Sequence, residues 1–137
     1  IGFRLGRMAG LHYRQAIQSD CPDLLLPVPL HPGKKKKRGY NQSEWIARGL
    51  NSLLQLPIDT TSLRRIKETD TQTNKPTYER WQNVQDIFSV VAPKELEGKH
   101  ILLIDDVITT GSTIGACAEA LLTVPGVRVS ILAVAIA

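Results

Sequence analysis

The segment His100-Ile101-Leu102-Leu103-Ile104-Asp105-Asp106-Val107-Ile108-Thr109-Thr110-Gly111-Ser112-Thr113 constrains this chain more than any other. Residues 101–104 form an unbroken apolar run, the pattern of a strand buried on both faces of a parallel sheet. Beyond them Ile114, Cys117, Ala118, Leu121 and Leu122 recur at helical spacing, which predicts a helix over 112–122 packed on that sheet. Residues 109–113 then lie at a helix amino terminus. Unpaired backbone N–H groups and the positive end of the helix dipole favour an anion there. The hydroxyls of Thr109, Thr110, Ser112 and Thr113 add donors, and Gly111 lets the backbone approach a ligand with no Cβ in the way.

Asp105 and Asp106 would repel that anion. They read instead as acceptors for a vicinal diol, or as partners of a magnesium ion that bridges them to the ligand. Together the segment describes a ribose 5-phosphate held at the carboxyl end of a strand, where doubly wound sheets bind ligands. The plainer alternative is an ordinary strand, turn and helix in which Asp106 or Thr109 merely caps. Neither the P-loop pattern nor Gly-x-Gly-x-x-Gly occurs in the chain.

Composition narrows the class. A chain of 137 residues is expected to form one domain and to bury about two-thirds of its unfolded surface without staples. Cys21 and Cys117 are the only cysteines, too few for a zinc cluster or a disulfide framework, and they read as reduced thiols of a cytoplasmic protein. No apolar stretch reaches eighteen residues and no signal-peptide pattern opens the chain, which argues against a membrane partner or a secreted protein. The formal charge is +4, but Lys34, Lys35, Lys36, Lys37 and Arg38 stand together and the remainder is slightly acidic. Basicity concentrated in one place implies one anionic partner at one place.

Ile1, Leu5, Met8, Ala9, His12 and Ala16 fall on one side of a helix predicted over 2–18, with His12 read as a packed or edge histidine. Residues 24–29 form a short apolar strand ended by prolines. Trp45, Ile46, Gly49, Leu50, Leu53 and Leu54 predict a helix over 43–54. Strand 24–29, this helix and a strand around 63–66 are expected to form one βαβ unit, and 101–104, the helix over 112–122 and a strand over 127–136 another. The polar stretch 67–84 is longer than ordinary connections and reads as a lid, with 88–91 returning to strand. Tyr78 and Trp81 within it read as docking the lid rather than stacking on a base.

Pro27-Val28-Pro29-Leu30-His31-Pro32, the basic run and Arg38-Gly39-Tyr40-Asn41-Gln42 make a second strand-end turn leading into a helix. The same helix-terminus argument lets it hold a second anion. Lys34, Lys35 and Lys36 are equally well read as a solvated surface run, whereas Arg38 is read as facing the ligand.

The stretch 105–113 resembles the phosphoribosyl pyrophosphate (PRPP) motif of type I phosphoribosyltransferases at every position. The Pro-Val-Pro-Leu-His-Pro and Arg-Gly-Tyr-Asn-Gln segments resemble the ComF group of that fold, associated with natural competence. Arg65, Thr71-Gln72, Glu79-Arg80 and 83–88 stand in the order that group shows. The resemblance implies a type I phosphoribosyltransferase-like α/β fold, with a mostly parallel sheet flanked by helices and a flexible lid. It places the PRPP 5-phosphate on 109–113, the ribose hydroxyls near Asp105 and Asp106 as the catalytic pair, and Val107 and Ile108 along the ligand. Pyrophosphate falls to Pro29, Leu30, His31 and Arg38, and the lid supplies Gln72 and Arg80. Magnesium arrives with the substrate rather than on a protein cage.

Transfer or release of the phosphoribosyl group, linked to DNA uptake, is then expected, with no acceptor assigned. The rival is a PRPP- or nucleotide-binding adaptor without turnover that touches single-stranded DNA or a competence helicase through the lysine run. A homodimer is compatible with either. Members of the group usually carry an amino-terminal zinc ribbon, and its absence here is read as marking a fragment.

Overall fold

The computed structural model describes residues 1–16, 20–30, 40–66 and 88–137. Three parallel strands form the central sheet in the order β1 (Leu24–Pro27), β4 (His100–Ile108) and β5 (Arg128–Ile136). Leu25 sits opposite Leu102, and Leu102 opposite Ser130. The apolar run of β4 is unbroken because both of its faces are covered. Ile101 and Leu103 pack with Leu24, Leu26, Cys117 and Leu121 beneath helix α4 (Ser112–Leu122). Leu102 and Ile104 pack on the other face with Leu25, Ile46, Ala47 and Leu50 of helix α2 (Gln42–Leu54). Each such side chain taken fully out of water contributes about 1.5–3 kcal/mol, so burial on both faces holds the sheet centre strongly.

The parallel sheet, its two flanking helices and the α/β class agree with expectation, and α4 begins and ends at the predicted residues. Leu122, however, is exposed, and Ala116 takes its place in the core.

Three expectations need correction. The strand around 63–66 is not the third member of a parallel βαβ unit: β2 (Leu63–Arg65) pairs antiparallel with β3 (Phe88–Val90) in a separate ribbon. The chain leaving α2 meets β1 earlier, at a bridge between Leu25 and Ile58, where the Leu25 N–H donates to Pro57 O at 2.9 Å and the Asp59 N–H donates to Leu25 O at 2.8 Å. Second, β4 does not stop at 104: it stays paired through Ile108, opposite Ile136 of β5. Third, helix α1 (Gly2–Ala16) buries glycines rather than its apolar stripe. Gly2, Gly6 and Gly10 face α2, while Ile1, Met8, His12 and Ala16 are exposed. A Cβ on Gly6 would meet Ile46 O at 2.0 Å, and one on Gly49 would meet Phe3 O at 1.9 Å. The two helices touch backbone to backbone, which only glycine permits.

A helix of four residues, α3 (Pro93–Leu96), leads into β4. At that amino end, His100 and Asp23 exchange bonds: the His100 N–H donates to Asp23 Oδ2 at 2.8 Å and the Asp23 N–H to His100 O at 2.7 Å. His100 Nε2 lies 2.7 Å from Ser130 Oγ, and Arg128 donates to both oxygens of Asp20 at 3.1 Å.

Candidate functional site

The carboxyl ends of β1 and β4 open into a cleft of about 460 Å³. It is lined by Pro29 and Leu30 from the first turn and by every residue of 105–113 from the second. The two halves read separately along the chain therefore meet in one volume. His31, Arg38, the lysine run, Gln72, Arg80 and the rest of the lid lie outside the described residues.

Asp105 and Asp106 project from the last paired stretch of β4. Asp105 Oδ1 accepts the Asp106 N–H at 2.9 Å, and Asp106 Oδ1 accepts the Val107 N–H at 2.8 Å. Burial pushes the Asp105 carboxyl up to about 6, and the adjoining Asp106 carboxyl adds to the rise. Against this act the Asp106 N–H and the Ser43 hydroxyl, which favour the charged form. No ion pair to either carboxylate occurs among the described residues, nor any group of three or more metal-ligating side chains. Magnesium keeps near-octahedral coordination and is commonly held by one or two carboxylates together with ligand phosphates and water, so these two side chains fit an ion that arrives with its ligand.

The turn after β4 has the build of an anion cradle. Gly111 stands at the head of α4 with φ of 84°, a left-handed conformation that L side chains rarely adopt. A Cβ there would meet nothing within 4 Å, so its role is backbone shape and open space rather than packing. Gly111 offers no side chain to cap the helix. Thr110 Oγ1 accepts the Ser112 N–H at 3.2 Å and lies 2.9 Å from Ser112 Oγ, which holds two hydroxyls at the rim. Thr113 and Ile114, whose backbone N–H groups have no intrahelical acceptor at a helix amino terminus, also line the cleft.

Val28, Asn41, Gln42, Ser43, Arg65 and Ile114 complete the lining of the cleft; Asn41 and Gln42 belong to the turn read as holding a second anion, whereas Ser43 and Arg65 carried no site assignment. Asn41 caps α2, with its Oδ1 accepting the Ser43 N–H at 3.0 Å. Asn41 followed three residues on by Glu44 is a capping-box spacing, which fits the helix start expected beside the second turn. Arg65 lies over the Phe88 ring at 5.2 Å. Burial draws its guanidinium below the usual range, while Cys117 and Asp105 oppose that shift. Beneath the cleft, burial pushes the Cys117 thiol up to about 12, which makes it core rather than nucleophile. A smaller hollow of about 230 Å³ adjoins the cleft, sharing Pro29, Leu30, Asn41 and Arg65 with it.

A mostly parallel sheet flanked by helices, with paired carboxylates and a glycine-headed helix at one strand's carboxyl end, defines a type I phosphoribosyltransferase-like α/β protein. The phosphoribosyl transferase domain family matches residues 28–137, and the chain belongs to that family, in its ComF-like group. It is 34% identical over 119 residues to competence protein F of Haemophilus influenzae, covering 86% of this chain and 52% of that protein. It is 33% identical over 119 residues to the DNA utilization protein YhgH of Escherichia coli, covering 87% of this chain and 52% of that one. The chain thus spans about half the length of these curated relatives. Among solved structures, the glutamine PRPP amidotransferase from B. subtilis, complexed with ADP and GMP, superposes with a TM-score of 0.65 at 20% identity. That match covers 97% of this chain and 26% of the other and carries the fold alone. No helix among the described residues is long and apolar enough to cross a membrane.

Proposed function

We propose that this chain binds PRPP or ribose 5-phosphate together with magnesium and transfers or releases the phosphoribosyl group. The observation that carries this reading is a single cleft. Two carboxylates with no ion pair among the described residues line it together with a glycine-headed helix terminus. One end suits a diol and a divalent ion, the other a phosphate, and a ribose 5-phosphate spans both. Asp105 and Asp106 would hold the ribose hydroxyls and, through the ligand, the magnesium ion. The turn 109–113 would take the 5-phosphate, and Pro29 and Leu30, with His31 and Arg38, the pyrophosphate. Magnesium supplies charge neutralisation for the departing pyrophosphate. The protein's part is to orient the sugar and stabilise developing charge, with Gln72 and Arg80 on a lid that excludes water.

Calorimetry tests this directly. PRPP should bind in the presence of magnesium and lose most of its affinity in EDTA, and a panel of bases and amines should include one that triggers pyrophosphate release. Failure of PRPP to bind with magnesium would end the reading.

The relatives' names, a competence protein and a DNA utilization protein, favour a second reading, in which the chain serves DNA uptake as a ligand-binding adaptor without turnover. It predicts PRPP binding with no pyrophosphate release from any acceptor. It also predicts single-stranded DNA binding through Lys34, Lys35, Lys36 and Lys37, with log affinity falling against log salt at a slope of about −0.7 per neutralised phosphate.

A further inference from the structure

At the end of β1 the chain runs into Pro29, which has no N–H to continue the ladder, and Val28 is tied down from both sides instead. Its N–H donates to Ile104 O at 2.8 Å and its carbonyl accepts Asn41 Nδ2 at 3.0 Å. Asn41 Oδ1 accepts the Ser43 N–H at 3.0 Å, and Ser43 Oγ donates to Asp105 Oδ1 at 3.3 Å. Because Asp105 follows Ile104, these bonds close a circuit from β4 through β1 and the cap of α2 back to β4. Val28, Asn41 and Ser43 are all buried. The hydroxyl of a serine in the first turn of a helix ordinarily bonds locally or to water. This one crosses to a residue 62 positions away.

The consequence falls on one oxygen. Asp105 Oδ1 accepts both the Ser43 hydroxyl and the Asp106 N–H, while Oδ2 has no bond among the described residues. The rotation of the carboxylate is therefore fixed from outside its own strand. We propose that Ser43 is a positioning residue, whose hydroxyl pins Asp105 Oδ1 and thereby presents Oδ2 to the ribose hydroxyls of the bound sugar phosphate. The proposal rests on the ribose 5-phosphate reading of the cleft. At 3.3 Å the bond is longer than a relaxed hydroxyl–carboxylate contact, and such bonds tighten when a ligand completes the site.

The test compares two probes on wild type and Ser43→Ala, with thermal melting as the folding control. Ribose 5-phosphate needs both ends of the cleft, whereas inorganic phosphate needs only the turn at 109–113. Ser43→Ala should weaken ribose 5-phosphate about five- to tenfold and leave inorganic phosphate unchanged. Undiminished ribose 5-phosphate affinity in a folded variant overturns the proposal. So does an equal loss for both probes, which would mean that the helix had moved rather than the carboxylate. A wild-type protein that binds inorganic phosphate but not ribose 5-phosphate would bring down the ribose reading first, and this inference with it.

Discussion

The two ends of β4 treat their polar groups in opposite ways. At the amino end the charges are paired: Arg128 holds Asp20 with two bonds, and hydrogen bonding to Arg128 keeps the Asp20 carboxyl below its usual range. His100 and Asp23 satisfy each other's backbone, and His100 Nε2 meets Ser130. At the carboxyl end, Asp105 and Asp106 bond, among the described residues, only to backbone N–H groups and Ser43, and burial pushes Asp105 up to about 6. The first end is closed by its own residues save for His100 Nδ1, which has no hydrogen-bond partner among the described residues. The second keeps two carboxylates with no ion pair among the described residues, open volume and a left-handed glycine, the condition of a surface shaped for something else.

The largest expected effect separates the ends by ligand. Replacing both Asp105→Asn and Asp106→Asn turns one acceptor oxygen of each side chain into a donor and removes the charge that attracts magnesium, and ribose 5-phosphate affinity should fall roughly a hundredfold or more. Secondary structure by circular dichroism should be unchanged. Equal affinity in wild type and the double variant would erase the functional difference between the ends.

Two glycines sharpen the contrast next. Gly98 and Gly111 flank β4, with φ of 73° and 84°, and neither would bring a Cβ within 4 Å of anything. Valine at either position is strained by about 1–2 kcal/mol or more, so Gly98→Val and Gly111→Val should lower the melting temperature alike. Only Gly111→Val should also weaken ribose 5-phosphate, by more than the roughly tenfold expected of Thr110→Ala. A well-folded Gly111→Val protein that binds like wild type would remove the phosphate cradle.

The third effect is on stability and runs with pH. A carboxyl whose folded pKa is raised binds its proton more tightly in the native state, so its contribution to stability worsens as pH climbs from the unfolded value near 4 through about 6. Asp105→Asn removes that loss. After allowance for its partial exposure, the gain should be about 1–2 kcal/mol at pH 7, a rise in melting temperature of roughly 3–6 °C, vanishing near pH 4. A variant that melts at or below wild type at pH 7 would mean the acidic end is not held at a cost to the fold.

What the chain revealed of this and what it concealed follows from which signals are local. The β4 run and the α4 stripe were legible because burial on both faces of a strand, and on one face of a helix, writes itself as apolar periodicity. The turn at 109–113 was legible because helix termini and glycine have fixed chemistry. The buried face of α1 was not, since Gly2, Gly6 and Gly10 carry no hydrophobic signal, while the apolar Met8 and Leu11 remain exposed. The partner of β1 was mistaken because Pro57 interrupts Leu56 and Ile58, whereas 63–66 has the stronger strand pattern and spends it on the ribbon with β3. The Ser43 bond to Asp105 joins residues 62 apart and leaves no local trace.

The smallest expected effect is the sharpest challenge to the contrast, because it asks whether the amino end is as inert as its pairing implies. Asp20 and Arg128 are both more than half exposed, at 55% and 64%. Water and salt screen such a pair, and exposed ion pairs contribute little to stability. Asp20→Ala should shift the melting temperature by no more than the scatter between repeats, equally so in high salt, and should leave ribose 5-phosphate affinity untouched. The complication is His100, whose buried Nδ1 lies 3.5 Å from Asp20 Oδ1 and has no hydrogen-bond partner among the described residues. An unchanged melting temperature for Asp20→Ala therefore marks this end as independent of its exposed ion pair. A loss beyond that scatter would mean that Asp20 supports the buried imidazole, and would dissolve the distinction on which the comparison rests.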